Sequence, residues 1–350
     1  MYHKLKCIYS APSRWMSSLP DDLRISEINI PGSHNAAAIN TSKPTRWACQ
    51  AHSITEQLEK GIRLLDIRLK PKKRRGPSTS QSAPAQWDFI TCHGHLGLFG
   101  ANEFQPFAEI AAECTAFLDA NPTETIIMTI QIDDWRKTRP NDRPHILQSL
   151  HTRIAALPLV TGPSIPTLGK SSSLHTPAEN PNIPNLGKSS NIPTLGQSPN
   201  LPTLAESRGR IYLINRINDD PALGVPIKIP DNTPGGIIAP VAARNYEVYV
   251  QDQYKRLNNR DPEAHKLRLT IAAFEKKRPG VVLLNFASAT KPFGRFVYIM
   301  RELTEYFTQT QPPKKPLGWL FLDYPFATPD DKTPDLPTLI ITSNFATPRG

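Results

Sequence analysis

Short apolar runs alternate with helix-compatible segments along most of the chain, and this order restricts the fold more than any other feature. Residues 124–132 (ETIIMTIQI) are apolar almost throughout, as expected of a parallel strand covered on both faces. Further strands are expected at 25–30 (ISEINI, halted by Pro31-Gly32), 62–69 (IRLLDIRL), 89–92, 210–215, 280–286 (GVVLLNF) and 318–324 (GWLFLDY). Helices are expected at 53–61, 104–120, 145–157, 296–308 and 335–344. The first has Ser53 as N-cap, Glu56 completing a capping box and Gly61 closing it. This alternation predicts an α/β fold with a parallel sheet or closed barrel, and argues against a sandwich. At 350 residues the chain is long enough for one such domain.

One stretch does not fit the alternation. Ile165-Pro-Thr-Leu-Gly-Lys recurs as Ile183-Pro-Asn-Leu-Gly-Lys, Ile192-Pro-Thr-Leu-Gly-Gln and Leu201-Pro-Thr-Leu, with starts 18, 9 and 9 residues apart. A proline in every unit blocks helix and central strand. The units are too short and polar to build a core, so a disordered Pro-rich insertion within one domain is expected. An expanded tract without function and a repeat that binds a partner are both compatible with it. The expected organisation is an N-terminal tail at 1–14, a first half-barrel at 15–162, the insertion at 163–206 and a second half-barrel at 207–346.

Lys and Arg number 41 against 31 Asp and Glu, a formal charge of +10, which favours phosphates or acidic lipid surfaces as partners. No groove-reading motif or longer basic groove with stacking aromatics is present, so a nucleic-acid partner is not expected. The basic run at 70–75 (KPKKRR) follows an expected strand and is a candidate contact for anionic lipid, with a solvated loop as the plain alternative. Cys7, Cys49, Cys92 and Cys114 show no metal-ligand spacing and read as reduced, buried thiols. No signal-peptide core or transmembrane stretch is evident, so a cytoplasmic protein is expected, peripheral at membranes when it meets lipid.

Polar groups stand at four expected strand ends: His34, Asp66 with Arg68, His93, and Asp323. In a parallel barrel such ends share one face, where active sites are built. Two histidines and an arginine suit phosphoryl transfer: one imidazole takes a proton from the attacking hydroxyl, the other protonates the leaving oxygen, and the guanidinium holds the phosphate charge. A carboxylate behind one histidine fixes its tautomer. Each residue alone is weak evidence. Asp66 could equally be a structural ion pair with Arg68 or Arg63, and His52 and His95 are histidines of the same kind.

Together the segments WMSSLPDDLRISEINIPGSHN, EQLEKGIRLLDIRL, CHGH and PTETIIMTIQ, followed by RGRIYLINR, YVQDQY, LLNFAS and GWLFLDYP, resemble the X-domain of phosphatidylinositol-specific phospholipase C in its bacterial-type form. The resemblance implies a distorted or incomplete TIM (β/α)8 barrel. It implies His34 as general base toward the inositol 2-hydroxyl and His93 as general acid toward the diacylglycerol oxygen. Arg68 then contacts phosphate, with Asp66 as its neighbouring carboxylate, and Asp323 orients His34. Arg216, Asp252 and Tyr254 match positions that hold the inositol ring.

Two positions depart from the bacterial pattern. Asn35 stands where an Asp that assists the general acid is usual, and Gln131, beside the substrate, stands where a Lys is frequent. Calcium-dependent members carry Asn and Glu at these two places. Ca²⁺ wants six to eight oxygens and charge balance. Arg68 puts a fixed cation where a carboxylate would be needed, and Gln131 adds no charge, so no metal and no cofactor are expected.

The implied activity is phosphodiester cleavage of phosphatidylinositol by its own 2-hydroxyl, giving diacylglycerol and inositol 1,2-cyclic phosphate, by a monomer touching an anionic membrane surface. The alternatives are a phosphodiesterase for another lipid headgroup and a catalytically weakened headgroup-binding protein.

Overall fold

A computed structural model describes residues 11–39, 48–74, 86–95, 101–135, 138–160, 200–238, 244–258, 260–291, 295–310, 316–328 and 333–345. Eight strands run parallel in one sheet: β1 (Ile30–Ser33), β2 (Leu64–Lys73), β5 (Thr125–Ile132), β6 (Arg210–Asn215), β7 (Val225–Pro226), β9 (Glu247–Gln251), β10 (Val281–Phe286) and β13 (Trp319–Leu322). Their lateral order is β7-β6-β5-β2-β1-β13-β10-β9. The first strand therefore pairs with the last, as in a (β/α) barrel, with Ile30 opposite Trp319. Among the described residues no ladder joins β7 to β9. The barrel is open there, and β8 (Gly236–Ile238) lies antiparallel on the free side of β9. A distorted, incomplete barrel is what the family resemblance implied, and the parallel sheet is what the alternation of segments implied.

Seven α-helices are described: α1 (Ile54–Glu59), α2 (Phe107–Ala120), α3 (Arg143–Ile154), α4 (Leu204–Ser207), α5 (Pro262–Phe274), α6 (Met300–Gln309) and α7 (Leu336–Ser343). The α1 terminus is as expected: Ser53 and Glu56 form a reciprocal capping box, and Gly61 takes a φ of 102°.

Side chains alternate between two apolar layers along each strand, because successive strand residues point to opposite faces. Leu64, Ile127, Tyr212, Ile214, Val250, Val282, Leu284, Trp319 and Phe321 share one cluster drawn from strands all around the sheet, which is the barrel interior. Their neighbours Leu65, Met128 and Leu213 pack under α1, α2 and α3, and Leu283 and Leu320 under α5, α6 and α7. The interior is tight at Gly32, where a Cβ would lie 2.6 Å from side-chain atoms of Leu64.

Several expectations need correction. Residues 25–27 form a 3-10 turn, and the strand begins only at Ile30. Asn29 ends the turn: its side chain accepts from the Leu317 N–H and donates to Ser343, a pairing off the ladder. The expected helix at 104–120 begins only at Phe107. Before it lies strand β4 (Ala101–Pro106), antiparallel to β3 (Trp87–His95), which is itself antiparallel to β2. The expected helix at 296–308 starts at Met300, after a short hairpin of β11 (Ala289–Lys291) and β12 (Arg295–Val297).

The run KPKKRR is strand rather than loop through Lys73, with Lys72, Lys73 and Arg74 exposed. β2 continues through Lys73, and Lys70 is buried 2.9 Å from Glu103 and 3.5 Å from Asp134. Lys72 pairs with Glu103 and Arg74 with Asp88, while Arg75 lies outside the described residues.

A 3-10 helix over Pro12–Ser18 crosses the expected boundary at 14/15 and buries Trp15 and Met16. Most of the Pro-rich repeat, 163–199, lies outside the described residues. Its last unit is folded: Leu201 and Leu204 are buried, and Thr203 caps α4 through a capping box with Glu206. Leu201, just before that short helix, and Leu204, its first residue, join the apolar cluster of the barrel interior. No helix among the described residues is long and apolar enough to cross a membrane.

Candidate active site

The strand alternation that fills the barrel also builds the site. Following the inward-facing positions past the apolar layer leads from Leu64 to Asp66 and Arg68, and from Ile127 to Thr129 and Gln131. The same step leads from Ile214 to Arg216, from Val250 to Asp252, from Phe321 to Asp323, and from Ile30 by way of Gly32 to His34. The barrel is apolar inside until its C-terminal end, and polar there.

His34, Arg68, His93, Gln131, Arg216, Asp252, Tyr254 and Asp323 line one cleft of about 480 Å³. Asp66 and Asn35 are buried behind its wall. All ten predicted site residues thus fall in or directly behind one cavity, of a size usual for small-molecule sites. His52 stands apart, edge-on to Phe326 at 5.0 Å, and the side chain of His95 lies outside the described residues.

His34 Nδ1 lies 2.8 Å from a carboxylate oxygen of Asp323. The carboxylate can only accept, so Nδ1 carries the proton and Nε2 is left with its lone pair. The Asn35 side-chain amide donates to that Nε2 at 2.9 Å, which agrees with the same tautomer. Gln50 holds the loop by donating to the carbonyls of both His34 and Leu322. Asn35 has a φ of 44°, a left-handed conformation Asn tolerates better than most residues.

His93 arrives by a route the strand-end reading did not foresee. It sits within antiparallel β3, where the β3–β4 register shifts between His93 and His95. Its ring stands edge-on to His34 with centroids 5.8 Å apart, and Cys49 Sγ is 3.4 Å from its Nδ1.

Asp66 is the electrostatic centre. It accepts from Arg68 Nε at 3.0 Å, Arg216 at 3.1 Å, the Thr129 hydroxyl at 2.9 Å and the Asn35 N–H at 3.2 Å. Burial pushes its carboxyl up, but Arg68, then Arg216 and His34, outweigh burial and hold it well below the usual carboxylate range. Arg68 also pairs with Asp133 at 3.5 Å. The Arg68 side chain is 17% exposed against 7% for Arg216, so Arg68 is the cation better placed to meet an anion in the cleft. Arg63, the other suggested partner of Asp66, is instead paired with Glu124.

Asp252 is buried beside these cations. Burial raises its carboxyl, while Arg216, Lys266 and Arg68 pull it down. The Tyr254 hydroxyl donates to Asp231 at the cleft rim. Asp133, Cys49 and the buried Lys266 were not singled out from sequence. Asp133 continues the inward series of β5 and could have been found so; the other two come from distant segments without motif.

Any metal would meet mixed donors here. Among the described residues His34, Cys49 and Asp323 are the group whose ligand atoms lie within 4.8 Å of one another. A nitrogen, a sulfur and a carboxylate do not match the oxygen shell of Ca²⁺, and Arg68 adds a fixed positive charge nearby.

No family model matches the chain. It is 28% identical over 134 residues to the 1-phosphatidylinositol phosphodiesterase of Staphylococcus aureus (strain Newman), covering 37% of this chain and 38% of the relative. It is 31% identical over 124 residues to the protein of that name from Listeria monocytogenes serovar 1/2a, covering 34% of this chain and 32% of the relative. The aligned part therefore spans about a third of these relatives' length. A structure of the Staphylococcus aureus phosphatidylinositol-specific phospholipase C, concerned with modulation of its membrane binding, superposes with a TM-score of 0.63 at 21% identity, covering 95% of this chain and 97% of that one. The fold is shared, and the resemblance to the bacterial-type phospholipase C family read in the sequence is borne out by these relatives.

Proposed function

We propose that the chain is a phosphodiesterase that cleaves phosphatidylinositol by intramolecular attack of the inositol 2-hydroxyl. One observation carries the reading: the rings of two histidines stand edge-on with centroids 5.8 Å apart in the cleft that Arg68 lines, and the tautomer of one is fixed by Asp323. His34 Nε2 takes the 2-hydroxyl proton and the freed oxygen bonds to phosphorus. The bond from phosphorus to the diacylglycerol oxygen breaks, and His93 protonates that oxygen. Arg68 balances the phosphate charge as it develops. The product is inositol 1,2-cyclic phosphate. Because nucleophile and phosphorus belong to one molecule, no second reactant need be positioned. His93 then acts as base and His34 as acid for slower hydrolysis of the cyclic ester.

The lining supports a polyhydroxylated headgroup. Asp252, Arg216, Gln131 and Tyr254 offer donors and acceptors, which ring hydroxyls can satisfy from both sides. A quaternary ammonium headgroup would call for an aromatic cage, and Tyr254 is the one Phe, Tyr or Trp among the described lining residues. The reading further includes peripheral contact with a lipid surface, since the substrate is held in one, and no metal or cofactor, since Arg68 supplies the positive charge. The reading takes the active protein as a monomer. The buried free thiols Cys49, Cys92 and Cys114 are in keeping with a reducing, cytoplasmic setting.

Turnover of matched vesicles carrying phosphatidylinositol, phosphatidylcholine or phosphatidylethanolamine tests the reading. Cleavage confined to phosphatidylinositol is expected. Equal cleavage of all three, or of none, would overturn it.

A further inference from the structure

Cys49 has no role in the chemistry above, yet it lies between the two halves of it. Its sulfur is 3.4 Å from Nδ1 of His93 and within 4.8 Å of ligand atoms of both His34 and Asp323. The side chain is fully buried. The backbone around it is pinned on two sides: the Cys49 N–H donates to Ala38 at 2.8 Å, and the Tyr324 N–H donates to the Cys49 carbonyl at 2.9 Å. The Tyr324 hydroxyl adds a bond to the Ala48 carbonyl at 2.6 Å. The sulfur is thus held fixed relative to both the His34 loop and the end of β13.

A general acid needs a fixed ring as much as a proton. The imidazolium of His93 must aim one N–H at the leaving oxygen, so the other must be held. The Asn35 amide is engaged with Nε2 of His34. We propose that Cys49 is a positioning residue of the general acid: its sulfur accepts from Nδ1–H of His93, and its S–H donates to the Asp323 carboxylate. One carboxylate then orients both histidines, His34 directly and His93 through a thiol.

The electrostatics agree with this direction of donation. Burial first, then the charge of Asp323 and a hydrogen bond to it, push the Cys49 thiol well above its usual range, so the sulfur keeps its proton and can donate it in a hydrogen bond to the carboxylate. A neutral thiol is a weak donor and a weak acceptor, able to orient the ring without trapping its proton.

This role rests on the phosphodiesterase reading, and leaving-group dependence separates the two. The wild type, Cys49→Ala and Cys49→Ser are compared on phosphatidylinositol, whose alkoxide leaving group needs a proton, and on a p-nitrophenyl phosphodiester of inositol, whose leaving group does not. Cys49→Ala should lose about ten- to a hundredfold in kcat on the lipid with KM little changed, and less than about threefold on the aryl ester. Cys49→Ser should recover most of the loss, and the alkaline limb of the kcat profile on the lipid should move to lower pH in Cys49→Ala. Unchanged kcat on the lipid, or equal losses on both substrates, would overturn the positioning role while leaving the phosphodiesterase intact. A wild type that cleaves neither substrate would overturn the phosphodiesterase reading, and this role with it.

Discussion

Nδ1 of His34 and the carboxylate of Asp323 are 2.8 Å apart, although 289 residues separate them in sequence. The pairing of β1 with β13 brings them together, since His34 directly follows one strand and Asp323 the other. The bond dictates which ring nitrogen is basic. Asp323→Asn keeps the shape but removes that preference, so kcat on phosphatidylinositol should fall by about 10³- to 10⁴-fold with little change in KM. Steady-state kinetics check this, and a kcat within tenfold of wild type would contradict it.

Asp66 holds two arginines at once, and removing its charge leaves both less compensated. Asp66→Asn should cost about 3–5 kcal/mol of stability at neutral pH. The sign of the pH dependence follows from the depressed folded-state ionisation. The stabilisation is complete above the unfolded Asp value of about 4 and is lost as pH falls through the lower folded value. Denaturant titrations should therefore show a constant gap between wild type and variant from pH 5 upward, narrowing only in strong acid. A gap that vanishes near neutrality would contradict this.

Arg63 and Glu124 are a buried pair at the opposite end of the barrel, joined at 2.9 Å. Arg63 also donates to carbonyls of Leu58, Ile62 and Ser13, and Glu124 accepts from the N–H groups of Met16 and Ser17. The pair ties the N-terminal 3-10 helix under the strands. Arg63→Met strands a buried carboxylate and should cost about 3–5 kcal/mol. In protein that remains folded, kcat should stay within about twofold of wild type, because catalysis lies at the other end. Thermal melts and kinetics on one preparation test both halves of the prediction.

Lys266 is fully buried, donating to Gln251 Oε1 at 3.0 Å and the Gln253 carbonyl at 2.8 Å. Burial pushes its amine down to about 7, with Asp252 and Asp323 pulling the other way. Between that value and the unfolded Lys value of about 10.4, the unfolded chain binds more protons than the folded one. Stability should therefore rise with pH across this window, by up to about 1.4 kcal/mol per unit, relative to Lys266→Met. Melting both proteins from pH 6 to 10 checks the slope. A difference that is flat or falls with pH would contradict it.

Parts of this molecule are plain in the sequence and parts are not, for physical reasons. The strands at 125–132 and 210–215 are legible because both faces are covered, which leaves an apolar run with little else to be. The β3–β4 hairpin is illegible because Phe104 and the apolar residues after Phe107 share a helical spacing, and only Pro106 marks the boundary. The folded end of the Pro-rich tract escapes notice because Leu201 and Leu204 look like every other repeat unit; only a surface to dock on distinguishes them.

The site divides in the same way. His34, Asp66, Arg68, His93 and Asp323 are legible as polar groups at expected strand ends, which are local properties, whereas Asn35, Gln131, Arg216, Asp252 and Tyr254 enter only through the family resemblance. The strand-end reading picks out His93 but misses its setting, which is within the antiparallel strand β3. Cys49 carries no local signal: its contact with His93 spans 44 residues and depends on the carbonyl and N–H bonds that fix its loop.

Phosphorus NMR of the products formed from phosphatidylinositol, with and without excess chelator, tests the proposed chemistry most directly. The first product signal should be that of inositol 1,2-cyclic phosphate, appearing at the same rate in both samples, with the acyclic monophosphate following later. An acyclic phosphate formed first, no turnover, or turnover lost to chelator and restored by Ca²⁺ would contradict it.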